Sequence, residues 1–181
     1  MTDAVRVLGL DLSLTATGVS DGWATSVIRS TGNADATLDQ RLKRIEQIAT
    51  EINRSKGTLS TLSLVVVEGP SLGSRTGHAH DRSGLWWMVV SMFSLYGFSV
   101  VEVPPASLKL FATGKGNADK GAIIEAATRR FPDVETGGHD GRCDALWLAA
   151  IGYQHLGHPI VTVPQRHHDA LTKVRWPEVI R

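Results

Sequence analysis

Four carboxylates stand where composition alone would not put them: Asp11, Glu68, Asp140 and Asp144. Asp11 ends the run VRVLGLD, in which Val5, Val7, Gly9 and Asp11 alternate with Arg6, Leu8, Leu10 and Leu12. So apolar a run predicts a strand buried on both faces. Glu68 ends a second such run, LSLVVVE, which Gly69-Pro70 stops. A buried ionised carboxylate must be paired, neutralised or bound to a cation. Asp140 and Asp144 are four apart at the start of a predicted helix, hence on one face, near the end that favours negative charge. Four such acids without basic partners repel one another. Divalent cations resolve the repulsion, and an all-oxygen donor set favours magnesium or manganese over zinc. Two such ions about 3.5–4 Å apart activate a water and stabilise the leaving oxygen of a phosphodiester. Each acid also has an ordinary role open to it. Asp11 can cap a turn, Glu68 end an exposed strand, Asp140 cap a helix and Asp144 face solvent.

The elements that must position these acids follow along the chain. Ser13, Thr15, Thr17 and Gly18 suit a tight turn after Asp11, and GVSDGWATSVIRST reads as two more strands hinged at Asp21-Gly22. Leu38, Leu42, Ile45, Ile48 and Ile52 mark one face of a helix, with capping-box spacing between Thr37 and Gln40. Residues 71–81 read as a polar surface loop. GLWWMVVSMFSLY reads as a helix apolar nearly all round, either fully buried or shared between subunits. FSVVEVPP predicts a strand, Ser107 to Phe111 a helical turn, and ADKGAIIEAATRRF a helix capped by Asn117. The last helix is expected from Gly141 to Leu156, closed by Gly157 and Pro159. The order implies an α/β fold: a three-strand antiparallel meander plus parallel strands in one mixed five-stranded sheet, flanked by helices.

At 181 residues, 42% hydrophobic and 20% charged, the chain reads as one ordinary globular domain. A net charge of +1 gives no bulk signature of a nucleic-acid partner, although acidic catalytic residues can mask a basic face. The single cysteine, Cys143, excludes an internal disulfide framework and fits a reducing cytoplasm. No run approaches the roughly 18 apolar residues that span a bilayer, and no leader pattern opens the chain, so a soluble protein is expected. The expected organisation is a nuclease-like domain over 1–160. Residues 161–181 form a basic extension, with Arg166, His167, His168, Lys173, Arg175 and Trp176 either contacting DNA or packed as a terminus.

LGLDLSLTATG, VVVEGP, GKGNADKGAI and HDGRCDALWLAA together resemble the RuvC family of Holliday junction resolvases, within the RNase H-like superfamily. The resemblance runs in matching order over residues 4 to about 155 and is strongest to the short versions carried by bacteriophages. It implies that Asp11, Glu68 and Asp144 are metal-binding acids. In many relatives the fourth ligand stands three residues before the last aspartate, here Gly141, which has no donor. Asp140 is the favoured replacement and His139 the alternative. Lys109 and Lys120 match family lysines that contact the DNA backbone. Lys115 shares the glycine-rich loop with Lys120, and Arg75, His78, His80 and Arg82 are expected along the DNA groove. The loop does not have the spacing of a P-loop.

Relatives often carry a base-stacking aromatic just after the strand glutamate, where this chain has Gly69-Pro70-Ser71-Leu72. That departure implies tolerance of forks and flaps. The resemblance also implies a homodimer, for which Trp86, Trp87 and Phe93, with Met88, are the candidate interface. The expected function is thus a two-metal-ion endonuclease on branched DNA, using magnesium (manganese substituting), with no nucleotide cofactor and no membrane. A junction-binding module that does not cut is the alternative. A nucleotide-binding protein of the actin-like superfamily shares the first strand's acid and turn, but needs a duplicated domain.

Overall fold

A computed structural model describes residues 5–55, 62–70 and 78–178. The strands are β1 (Val7–Asp11), β2 (Ala16–Ser20), β3 (Thr25–Arg29), β4 (Leu64–Glu68) and β5 (Val100–Val103). The helices are α1 (Leu38–Ser55), α2 (Ala79–Leu95), α3 (Pro105–Thr113), α4 (Lys120–Arg130) and α5 (Asp140–His155), followed by a 3-10 segment, Gln165–Lys173. The sheet order is β3-β2-β1-β4-β5. β1–β2 and β2–β3 are antiparallel, and β1–β4 and β4–β5 are parallel. This is the mixed five-stranded sheet the sequence predicts.

Local chemistry explains the connections. Thr17 Oγ1 donates to the Ser13 carbonyl at 2.7 Å and accepts from the Ser13 amide at 3.0 Å, closing the β1–β2 turn. Between β2 and β3 the Asp21 carboxylate accepts from the amides of Trp23 and Ala24, while Gly22 takes φ 93°. The expected capping box opens α1: Thr37 Oγ1 accepts from the Gln40 amide, and Gln40 Oε1 from the Thr37 amide.

The sheet's two faces carry different layers. Val7, Leu64, Val66, Val101 and Val103 face α3, α4 and α5, where Trp147 packs edge-on against Phe111 and Phe131. Leu8, Leu10, Val65 and Val67 face α1 and α2, against Ile45, Ile48, Ile52, Leu85, Val89 and Phe93. α5 lies at backbone contact with the sheet. A Cβ on Gly9 would overlap the Ala145 carbonyl, and one on Gly18 the Gly141 carbonyl.

Several expectations shift. α2 starts at Ala79, so the end of the predicted 71–81 loop is helical, while Arg75, Ser71 and Leu72 lie outside the described residues. Asp119, not Asn117, caps α4, accepting from the Ala122 amide at 2.9 Å. α5 begins one residue early with His139 at the cap position, so Asp140 lies inside the helix and is not its cap. Phe93 is fully buried in its own core and stacks edge-on with Phe98, which removes it from any interface between copies.

The start of the basic extension is packed rather than free. Val163, Ala170 and Val174 join the α5-side core, the His167 ring lies 2.7 Å from the Phe111 carbonyl, and Trp176 stacks on His155 at 3.7 Å. Among the described residues no helix is long and apolar enough to cross a membrane.

Candidate active site

The parallel pairing of β1 with β4 sets Leu10 opposite Val67, so Asp11 and Glu68 are the next residues of neighbouring strands. Both point to the α5 side, at the carboxyl ends of parallel strands, where open α/β sheets place their ligand sites. α5 then brings Asp140 and Asp144 over them in its first turns. The close approach at Gly18 and Gly141 is what permits this: a Cβ on Gly141 would stand 3.0 Å from Asp11 Oδ2.

The four acids feel one another. Asp11 and Glu68 are close enough to share a proton. Burial, then the charges of Asp11 and Asp144, push the Glu68 carboxyl up to about 8. Burial, then Asp11 and Asp140, lift Asp144 to about 7, against the opposing pull of Lys120 and Lys109. Asp11 is raised to about 6 by burial and then by Asp140. Lys120 forms an ion pair with Asp140 that raises the lysine's own pKa. The expectation of four acids without a basic partner is corrected there: the Lys120 ammonium caps one end of the cluster.

Among the described residues, no three of these side chains surround one point as ion ligands in their present rotamers. The donor set nevertheless fits a hard cation. Asp140 Oδ1 and Asp144 Oδ1 are buried without hydrogen-bond partners, and the raised pKa values of Asp11, Glu68 and Asp144 mark a concentration of negative charge that a cation would relieve. His139 Nδ1 is also buried without a partner.

The remaining candidates divide. Lys109 on α3 is near enough to act on Asp144, while Lys115 is exposed on the α3–α4 loop. Arg82 lies in the first turns of α2, where Asp81 is held by a bidentate ion pair to Arg41 on α1 and by His78. Trp86 is half-buried, its indole N–H donating to the Glu68 carbonyl at 3.0 Å. Trp87 is exposed. Neither the Trp86–Glu68 bond nor the Lys120–Asp140 pair was legible in the sequence, because each joins helix to site across long separations.

Carboxylates at the ends of two adjacent parallel strands, with a helix crossing them at glycine contact, define an RNase H-like protein. The comparisons narrow this. No protein-family profile matches the chain. The crossover junction endodeoxyribonuclease RuvC of Synechococcus sp. strain CC9902 is 30% identical over 157 residues, covering 82% of this chain and 98% of the relative. That of strain WH7803 is 27% identical over the same shares. The Thermus thermophilus RuvC structure superposes with a TM-score of 0.63 at 15% identity, over 87% of this chain and 99% of that one. T. thermophilus RuvC in complex with a Holliday junction substrate gives 0.59 at 14% identity, over 88% of this chain and all of the other. The chain belongs to the RuvC family of crossover junction endodeoxyribonucleases.

Proposed function

We propose that this chain is a divalent-metal-dependent endonuclease that cuts phosphodiester bonds in branched DNA, Holliday junctions foremost and forks and flaps besides. The observation that carries the reading is the cluster of Asp11, Glu68, Asp140 and Asp144, in which burial and mutual repulsion raise the pKa of Asp11, Glu68 and Asp144, in a chain of this family. Its curated relatives are named crossover junction endodeoxyribonucleases, and one solved relative holds a Holliday junction.

Asp11, Glu68, Asp144 and Asp140, with His139 as the alternative to Asp140, would hold two ions, magnesium first and manganese in its place. Bound there, the ions would supply activation of a water and stabilisation of charge on the phosphodiester oxygens. Glu68 and Asp11, whose carboxyls lie close enough to share a proton, would be held ionised there. Lys120 then exchanges its pairing with Asp140 for a backbone phosphate, and Lys109 steadies the neighbouring phosphate. Lys115, Arg75 and Arg82 extend the basic track, so affinity falls steeply with salt.

Two copies pair through α2, which places two sites on one junction. With Phe93 buried and Trp86 tied to Glu68, that face rests on Met88, Met92, Leu95 and Tyr96, with Trp87 at its rim. Residues 1–160 form the nuclease domain, with 161–181 as its extension. The lone buried Cys143 suits the reducing cytoplasm where such DNA is processed.

The test is cleavage of labelled four-way, three-way, flap and linear duplex DNAs with magnesium, beside the Asp144→Asn variant. Paired nicks in the four-way junction that vanish in the variant are expected. Tight junction binding with no cutting under any divalent ion would replace the reading by that of a binding module.

A further inference from the structure

Of the four acids, Glu68 stands where a strand loses its neighbour on one side. Asp11 is paired with Gly18 in the antiparallel ladder, and Asp140 and Asp144 ride on α5. The parallel ladder between β1 and β4 stops at the Leu10–Val67 pair, one residue short of Glu68. The Glu68–Gly69 peptide sends its N–H to the Val103 carbonyl on β5 at 2.9 Å. Its C=O, on the opposite edge of a trans peptide, therefore points toward β1, where the ladder has ended.

The donor that meets this carbonyl comes from outside the sheet. The indole N–H of Trp86, on α2, donates to it at 3.0 Å. A strand-end carbonyl without a partner leaves its peptide free to tilt, and the side chain before it tilts too. Held at both edges, by Val103 and by Trp86, the peptide after Glu68 keeps one orientation. Trp86 is held in turn, half-buried against the α1–α2 core with Trp87 edge-on at a centroid distance of 4.9 Å. The bond reaches the Glu68 main chain and not its carboxylate, so its effect on the acids passes through the backbone.

We propose that Trp86 is a positioning residue of the metal site. Its indole N–H fixes the Glu68–Gly69 peptide so that the Glu68 carboxylate meets a divalent cation together with Asp11 and Asp144. Groups that orient a metal ligand from behind typically change metal affinity by about 10–100-fold. Here the bond grips main chain rather than carboxylate, which sets the expected effect at the lower end. The inference rests on the metal-dependent nuclease reading and adds the group that aims one of its acids.

The test compares the full chain with Trp86→Phe and with benzothienylalanine placed at Trp86, which keeps the bicyclic ring and exchanges only N–H for sulfur. Manganese binding without DNA is followed by the electron paramagnetic resonance of the free ion. Both variants should bind manganese about tenfold more weakly than the parent. The magnesium concentration for half-maximal junction cleavage should rise by a similar factor, with the rate at saturating magnesium within about threefold of the parent's. In the parent, magnesium should slow solvent exchange of the Trp86 indole proton, because coupling between the bond and the ion is reciprocal. Light scattering and melting in chelator report whether assembly or folding has changed.

Equal metal requirement in parent and variants would overturn the positioning role. A loss confined to Trp86→Phe would do so too, since it would belong to the packing of the ring and not to its N–H. So would a loss in the benzothienylalanine protein that comes with a changed oligomeric mass, or a fall in saturated rate with the metal requirement unmoved. Junction cleavage by the unmodified chain separates the two readings. Cutting that persists with unchanged metal dependence in the variants sinks the role of Trp86 alone. A parent that neither binds manganese nor cuts sinks the nuclease reading and this inference with it.

Discussion

The two faces of the sheet are built on opposite principles. On the α5 side, glycines let backbone meet backbone, and Gly9, Gly18 and Gly141 leave no slack between helix and strands. On the α1–α2 side, large side chains fill the space, and α2 leaves Trp87, Leu95 and Tyr96 in solvent. Carboxylates that must converge need a fixed distance, which backbone contact supplies. The opposite face instead leaves adaptable side chains, Met88, Met92 and the aromatics, at its outer edge. The face that carries the acids is set by backbone contact, and the opposite face by side-chain packing.

Four experiments sharpen or break that contrast. The largest effect is expected from joint replacement Asp11→Ala and Glu68→Ala, which should reduce junction cleavage to background and leave junction binding intact in a gel-shift titration. Cleavage that survives would move the site elsewhere. Next is Gly18→Val, whose side chain would collide with the Gly141 carbonyl and force α5 off the sheet. It should cost about 3 kcal/mol or more in chemical denaturation, and a melting temperature like the parent's would mean that the contact has slack.

Third is a pH effect confined to the acid face. The carboxyls of Asp11, Glu68 and Asp144 hold protons to about 6, 8 and 7, well above their unfolded values of 3.8, 4.5 and 3.8. The native state therefore keeps protons that the unfolded chain has released, and stability falls as pH rises from about 4 to about 8. Melting of the protein in chelator should show this decline, and magnesium should reverse it at pH 8. Glu68→Gln should raise chelated stability at pH 8, because it removes the carboxyl whose pKa is shifted furthest. A flat profile would mean that the acids are solvated. The smallest folding effect is expected on the other face. Leu95→Ser with Tyr96→Ser should change stability by no more than about 0.5 kcal/mol, while light scattering on parent and variant tests the proposed pairing through α2, which requires a dimer in the parent and a loss of it in the variant.

The periodicities carried most of the fold. Near-continuous apolar runs in VRVLGLD and LSLVVVE mark the two central strands because both faces of each are covered, and the Thr37–Gln40 box marks the start of α1. Element ends were less legible. Asp119 and Asn117 are both good capping residues, and only the extended backbone at Asp119 decides between them. Phe93 looked available because a helix apolar on all sides does not reveal which side meets its own core. Asp11 and Glu68 stand out because acids at the ends of buried strands are unusual, and Asp140 and Asp144 because they are four apart at the start of a helix. Their partners do not. Lys120 reaches Asp140, and Trp86 reaches Glu68, through tertiary approach that no local spacing encodes.

The pairing of Leu10 with Val67 also governs how the molecule comes into being. The β1–β2–β3 meander joins near neighbours and can form early, whereas β1 meets β4 only after the whole of α1 has been looped back. Such a long closure is slow relative to a hairpin. Asp11 and Glu68 therefore remain apart, each hydrated, until the crossover closes. A partly folded chain holding only the meander has just one of the four clustered acids, Asp11. The β1–β4 pairing brings Asp11 and Glu68 together, and the docking of α5 adds Asp140 and Asp144.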